Sequence, residues 1–343
     1  MTVVSRYRGL VCDLDGVVYR GAQAVPYAVE GLEQARTSGV GVVYATNNAS
    51  RPPAEVFAHL SELGLTLELA DVVTSAMAGA HRLAELVPAG ARVLAVGGDG
   101  VQIALEDEGL TAVRAGDLLA EGAEPVQGVL QGFGKQVSWV DLSEAAFAIQ
   151  QGARWVASNT DFTIPTDRGI GPGNGTLVGV VRRAVDVDPE VVGKPFPPLY
   201  LRCAERLGCE PAQSLAIGDR LDTDIEGAVR TGMDSLFVFT GVDGPRSIIE
   251  AGPDQRPTYL ARDLRGLAEE YVEPQVETGG GDVVATCGDA RVVLSSARIE
   301  TTGGGSASER LRAVVAAGIA HVDAGGTLPD WSGVDPWILE DDA

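Results

Sequence analysis

Nowhere does this chain carry an apolar run near the roughly 18 residues that a membrane-spanning helix needs, so a membrane partner is not expected. Met1 to Arg8 lack the apolar core of a secretory signal, which predicts a cytoplasmic protein. Cysteines are few, and Cys12, Cys203, Cys209 and Cys287 form no CxxC pair. With only His59, His81 and His321 beside them, neither a disulfide framework nor a zinc site is expected. Basic residues are scarce as well. The 26 Lys and Arg face 48 Asp and Glu, a formal charge of −22 that argues against a nucleic-acid partner. Aromatic residues make up 5%, which argues against a roomy ring-lined pocket.

What is present suits a soluble globular protein of two or three domains. The length is 343 residues, 45% hydrophobic and 22% charged. Over residues 1–78 and again from 193 to 272, short β-branched runs alternate with amphipathic stretches. Strands are read at 9–13, 40–45, 72–75, 214–217 and 235–239, and helices at 25–38, 53–63, 197–207 and 223–230. This alternation predicts an α/β fold with a doubly wound parallel-sheet core. Residues 79–192 carry their own strands at 92–96, 126–130 and 155–157. Asp141-Leu142-Ser143-Glu144 reads as a cap that opens a helix running to 151, and a further helix is read at 177–184. They are expected to form an α/β cap domain inserted into the core. Past residue 272, Glu273 to Asp282 has the composition of a flexible linker. A strand at 292–295 and a helix at 308–317 then suggest a small C-terminal appendage over residues 273–343, and the acidic Glu340 to Asp342 reads as solvated.

Four polar segments stand where apolar runs stop: Asp13-Leu14-Asp15-Gly16, Thr46-Asn47-Asn48, Gly193-Lys194-Pro195, and Gly218-Asp219 with Asp224 beyond. Ligands of open parallel sheets bind beyond the carboxyl ends of strands, so these segments are expected to form one site. Asp13 and Asp15 lie two apart, on one side of an extended chain, and repel unless a cation or a proton is shared. With Mg²⁺ present, Asp13 is a candidate nucleophile and Asp15 a candidate general acid and base. Asp219 adds a hard oxygen ligand, and Asp224 could hold a metal-bound water or orient Lys194. Lys194 supplies compact positive charge, while Thr46, Asn47 and the backbone N–H of Asn48 can donate to phosphoryl oxygens.

These motifs, in this order over residues 9–242, closely resemble the haloacid dehalogenase superfamily of phosphatases, and the insertion after the second motif resembles the type-C2 cap subclass. The stretch Ser158 to Val180 is similar to the cap of the branch that holds glycerol-3-phosphate, phosphoglycolate, pyridoxal-phosphate and nucleotide phosphatases. The resemblance implies a Mg²⁺ held by Asp13, Asp219 and the main-chain carbonyl of Asp15. It also implies hydrolysis of a small phosphomonoester through a phospho-aspartyl intermediate at Asp13. Glycerol 3-phosphate or 2-phosphoglycolate is the expected substrate, with a nucleotide monophosphate or pyridoxal phosphate as the alternative. A dehalogenase fits less well because it needs no proton donor at Asp15, and a non-catalytic regulatory binder fits less well because the motifs are complete. The glycine-rich segment 167–175 is read as a specificity loop, with Arg168, Gly171 and Asn174 as its candidates. Arg20 and Arg51 stand near the motifs but serve equally well in surface ion pairs. Hinges for cap movement are expected near 76–82 and 187–193. A homo-oligomer is left open, the appendage being either a docking surface for a second subunit or a partial domain packed on the core.

Overall fold

The computed structural model describes residues 1–166, 168–295 and 298–329. The chain divides into two compact units, one made of Met1–Val42 with the chain from Glu210 onward, the other of Val43–Cys209.

In the first unit the strands Tyr259–Ala261, Asp234–Val238, Ser214–Gly218 and Gly9–Cys12 lie side by side in that order, all parallel. Gly9–Cys12 and Ser214–Gly218 are buried along their whole length, as expected of strands covered on both faces. The helix Ala28–Thr37 buries Ala28, Gly31, Leu32 and Ala35, and stops before Gly39, whose φ is +85°. A four-stranded antiparallel sheet follows, Gln275–Gly279, Asp282–Cys287, Ala290–Ser295 and Arg298–Gly303, paired in chain order. The helix Ala307–Asp323, capped by Ser306, completes this part. Val283, Ala285, Val292, Leu294 and Leu311 share one apolar cluster with Phe237 of the parallel sheet and with Ile225, Ile248 and Ile249 of the helical segments Leu221–Ile225 and Pro245–Glu250. The appendage is therefore a partial domain packed on the core of its unit.

The expected linker at 273–282 is a strand and a turn. Gly280 and Gly281, at φ +64° and +92°, make a two-residue hairpin connection that needs left-handed backbone at both positions. A glycine pair has the same composition in a tight turn as in a linker, which is why the sequence misled. The acidic segment 340–342 lies outside the described residues.

The second unit holds the strands Gly41–Thr46, from Val43 onward, and Val72–Thr74, which run parallel, and a five-stranded parallel sheet. Its order is Glu190–Val191, Arg154–Ala157, Gly128–Gln131, Arg92–Val96 and Thr111–Val113. Helix Trp139–Gln150 starts earlier than the sequence suggests, because Ser138 with Asp141 forms the capping box and Asp141 sits inside the first turn. The hinge expected at 76–82 lies within a continuous helix, Ser75–Leu86, capped by Thr74. Its buried Ala76, Ala78, Gly79 and Ala80 are small residues that give little helical periodicity to read. No helix among the described residues is long and apolar enough to cross a membrane.

Candidate active site

In the first unit, Asp13 follows the strand Gly9–Cys12, and its N–H continues the ladder by donating to the Ile217 carbonyl (2.9 Å). The chain then turns sharply. The N–H groups of Val17, Val18 and Tyr19 all point to the Leu14 carbonyl, and Gly16 N–H donates to the Tyr19 carbonyl (2.8 Å). Gly16 has φ +88°, and a Cβ there would come within 2.6 Å of the Asp219 carboxylate, so only glycine fits. Thr240 ties the turn down by donating to the Gly16 carbonyl (2.7 Å).

Asp219 leaves the end of Ser214–Gly218 fully buried, and its Oδ2 accepts the Val242 N–H (2.8 Å). Asp224 lies in the following helical turn Leu221–Ile225, also buried, with Oδ2 accepting the Arg220 N–H (3.2 Å). Asp13, Asp219 and Asp224 each present a carboxylate oxygen within 4.8 Å of the others. Three like charges so close, two of them buried, repel strongly unless a cation sits among them. An all-oxygen donor set is what a hard divalent ion takes. Asp224, expected to act one step removed from the ion, is thus a member of the group. The side chain of Asp15, expected beside Asp13, is exposed and outside it. Asp243 braces this region by accepting the Leu221 N–H (2.9 Å), a support that no motif in the sequence signals.

In the second unit, Thr46 ends its strand buried, and its hydroxyl oxygen accepts the Asn48 N–H (3.1 Å). Asn48 Oδ1 in turn accepts the Ser50 N–H (3.0 Å) and hydroxyl (2.7 Å). Lys194, one of two lysines in the chain, is only 5% exposed. Both ends of the Asn47 amide grip its backbone. Asn47 Oδ1 accepts the Lys194 N–H (2.8 Å), and Nδ2 donates to the Lys194 carbonyl (3.1 Å) and to Asp161 (3.3 Å). Asn159 Nδ2 and the Ser75 hydroxyl both donate to the Asn47 carbonyl, each at 2.7 Å. Asn47 and Asn48 N–H, read as phosphate donors, are therefore engaged in holding this loop and Lys194 in place. Asn159 and Asp161 complete the clamp, and their only sequence signal is their place in the stretch Ser158 to Val180.

The segment 167–175 is mostly structured. Thr163–Thr166 and Gly169–Pro172 form an antiparallel hairpin, and Asp167 is outside the described residues. Arg168 sits exposed at its tip, its N–H donating to Thr166 Oγ1 (3.3 Å). Gly171 has room for a side chain, so no close approach of its own unit demands glycine there. Asn174 is buried, and donates to the carbonyls of Gln131 (3.3 Å) and Asn159 (2.8 Å), so it shapes the hairpin base instead of its rim. Arg20 donates to the Thr240 carbonyl, and Arg51 is exposed.

Carboxylates and a clamped lysine at the ends of parallel strands are met by the comparisons with known proteins. A haloacid dehalogenase-like hydrolase model matches residues 10–111, and a second model of the same kind matches residues 191–267. The D-glycerol 3-phosphate phosphatase of Mycobacterium tuberculosis is 42% identical over 306 residues, spanning 85% of this chain and 81% of that protein. The chain belongs to the haloacid dehalogenase-like hydrolases. The acid sugar phosphatase of Staphylococcus aureus is 33% identical over 267 residues, 78% of this chain and 99% of that one. The crystal structure of a glycerol phosphate phosphatase from Mycobacterium tuberculosis in complex with magnesium aligns with a TM-score of 0.79 at 39% identity. It covers 92% of this chain and 91% of its own.

Proposed function

We propose that this hydrolase is a Mg²⁺-dependent phosphatase of small phosphomonoesters, with glycerol 3-phosphate as its foremost substrate and 2-phosphoglycolate next. The observation that carries the reading is the carboxylate group Asp13, Asp219 and Asp224, set beside an exposed Asp15 at the ends of two adjacent parallel strands. The names of the relatives, glycerol phosphate phosphatases among them, support the substrate. Asp13, Asp219 and Asp224, with the Asp15 carbonyl, would hold the ion, which offsets charge on the carboxylates and on the phosphoryl oxygens. Asp13 attacks phosphorus and carries the phosphoryl group. Asp15 gives its proton to the leaving alkoxide, then takes one from the water that frees the enzyme. Lys194 offsets the anionic charge of the transferring group, with Thr46 as a hydroxyl donor. Residues 79–192 serve as the cap domain inserted into a core of 1–78 and 193–272, with Arg168 on its specificity hairpin. The four cysteines, all thiols, support a cytoplasmic setting, and the charge of −22 supports a metabolite over a nucleic acid.

The test is phosphate release with Mg²⁺ from glycerol 3-phosphate, 2-phosphoglycolate, UMP, pyridoxal phosphate, a sugar phosphate and an aryl phosphate. The highest kcat/KM is expected for glycerol 3-phosphate. Chelation with EDTA is expected to stop turnover, and added Mg²⁺ to restore it. The Asp13→Asn variant should lose at least about 10³-fold in kcat, and unchanged turnover would overturn Asp13 as the nucleophile; no phosphate release by the wild type from any of these esters would leave a phosphate-binding protein as the better reading.

A further inference from the structure

Just past the strand Asp234–Val238, the loop Thr240 to Asp243 reaches each of the three segments that supply Asp13, Asp219 and Asp224. The Thr240 hydroxyl donates to the Gly16 carbonyl (2.7 Å), on the turn that follows Asp13, and the Arg20 guanidinium donates to the Thr240 carbonyl. A Cβ on Gly241 would collide with the Asp219 carboxylate, so the loop backbone lies directly against it. The N–H of Val242 donates to Asp219 Oδ2 (2.8 Å), and that of Asp243 to the Asp219 carbonyl (3.2 Å). Asp243 Oδ2 then accepts the N–H of Leu221 (2.9 Å), the first residue of the turn that carries Asp224.

The N–H groups that open a helical turn have no partner within it. Here Asp224 takes that of Arg220 (3.2 Å) and Asp243 takes that of Leu221. Asp243 does not cap the helix that follows it, since Pro245–Glu250 begins without a side-chain cap. Its main chain holds Asp219 and its side chain holds the turn of Asp224. One residue thereby fixes the separation of two buried carboxylates. On its other side Asp243 borders an open cavity of about 390 Å³, lined also by Arg220, Asp222, Ser247 and Glu250, so truncating it leaves no sealed void in the core. Separation matters because divalent ions differ in what they tolerate. Mg²⁺ demands a near-ideal octahedron with oxygens at about 2.0–2.1 Å, whereas Ca²⁺ accepts a looser shell at about 2.3–2.6 Å. Carboxylates held at one spacing suit the stricter ion, and carboxylates free to spread suit the larger.

We infer, on the reading that Asp13, Asp219 and Asp224 hold the ion, that Asp243 is a positioning residue. It holds Asp224 at a fixed distance from Asp219, and so raises the affinity of the site for Mg²⁺ relative to Ca²⁺.

The test is calorimetric titration of Mg²⁺ and of Ca²⁺ into the full chain stripped of metal with EDTA, with the metal-free melting temperature as fold control. Asp243→Ala is expected to bind Mg²⁺ about 10–100-fold more weakly, the range usual for a group that holds a ligating carboxylate. Its Ca²⁺ affinity should fall by less than about threefold, because the looser shell tolerates the added freedom. Asp243→Asn keeps an oxygen for the Leu221 N–H, and should stay within about threefold of wild type for both ions. Equal loss of both ions in Asp243→Ala would overturn the inference, since general loosening weakens both alike. So would an asparagine variant as weak as the alanine one, which would make charge the cause. Unchanged Mg²⁺ affinity in Asp243→Ala would overturn it and leave the phosphatase reading intact. A wild-type chain that binds neither ion would overturn both.

Discussion

At the scale of single residues, the clamp on Lys194 makes Asn47 a positioning residue. Asn47→Ala removes both bonds to the Lys194 backbone, and is expected to lower kcat about 10²-fold with KM less affected, because a misplaced charge is felt most in the transition state. Asn47→Asp should not rescue it. That variant keeps the acceptor but loses the donor, and sets a second carboxylate against Asp161. Steady-state kinetics of both variants check this. The thiols make a separate case. Burial pushes Cys203 up to about 12, partly opposed by the charge of Lys194, and pushes Cys287 up to about 11. Both should resist a thiol reagent at pH 8 in the native state, with the partly exposed Cys209 reacting first. The unfolded thiols titrate near 9.0, so above that pH the unfolded chain has lost protons that the native one keeps. Stability should be indifferent to these groups below pH 9 and fall between about 9 and 12, as denaturant midpoints across that range would show.

At the scale of elements, the appendage turns on one cap and one turn. Ser306 accepts the Glu309 N–H (3.2 Å) while Glu309 returns the contact to the Ser306 N–H (2.8 Å). Ser306→Ala should cost about 1 kcal/mol. Leu311, fully buried in the shared cluster, should cost roughly 2–5 kcal/mol as alanine. Urea unfolding measures both, and a near-zero loss at Leu311 would mean that the helix adds little to the core. Arg312 shows how tightly this helix is tied in. Its buried guanidinium donates to the Leu260 carbonyl (3.1 Å), pairs with Glu269 (3.1 Å) and lies 4.0 Å from the Tyr271 ring centroid.

At the scale of the molecule, the first unit draws its chain from both ends of the sequence, and its antiparallel sheet shares an apolar cluster with the parallel part. Truncation after residue 272 strips the cover from Ile225, Phe237, Ile248 and Ile249. The shortened protein is expected to aggregate or to melt well below the full chain. An unchanged melting temperature would make the antiparallel sheet a separable domain. The alignment with the mycobacterial phosphatase spans 92% of this chain, which must take in part of that sheet.

Sequence alone determined the parallel layers and the motif positions, because β-branched runs, capping residues and carboxylates at strand ends are local signals. It located Asp13, Asp219 and Lys194, and it made the phosphatase family recognisable. Three-dimensional packing decided the rest. Whether Gly280-Gly281 is a hinge or a turn depends on the strands that flank it. Whether Asn47 faces a substrate or a backbone depends on Lys194, 147 residues away. Asp224 joined the carboxylate group only because the turn Leu221–Ile225 brings it back toward Asp219. Those outcomes follow from contacts between residues distant in the chain, which no local pattern encodes.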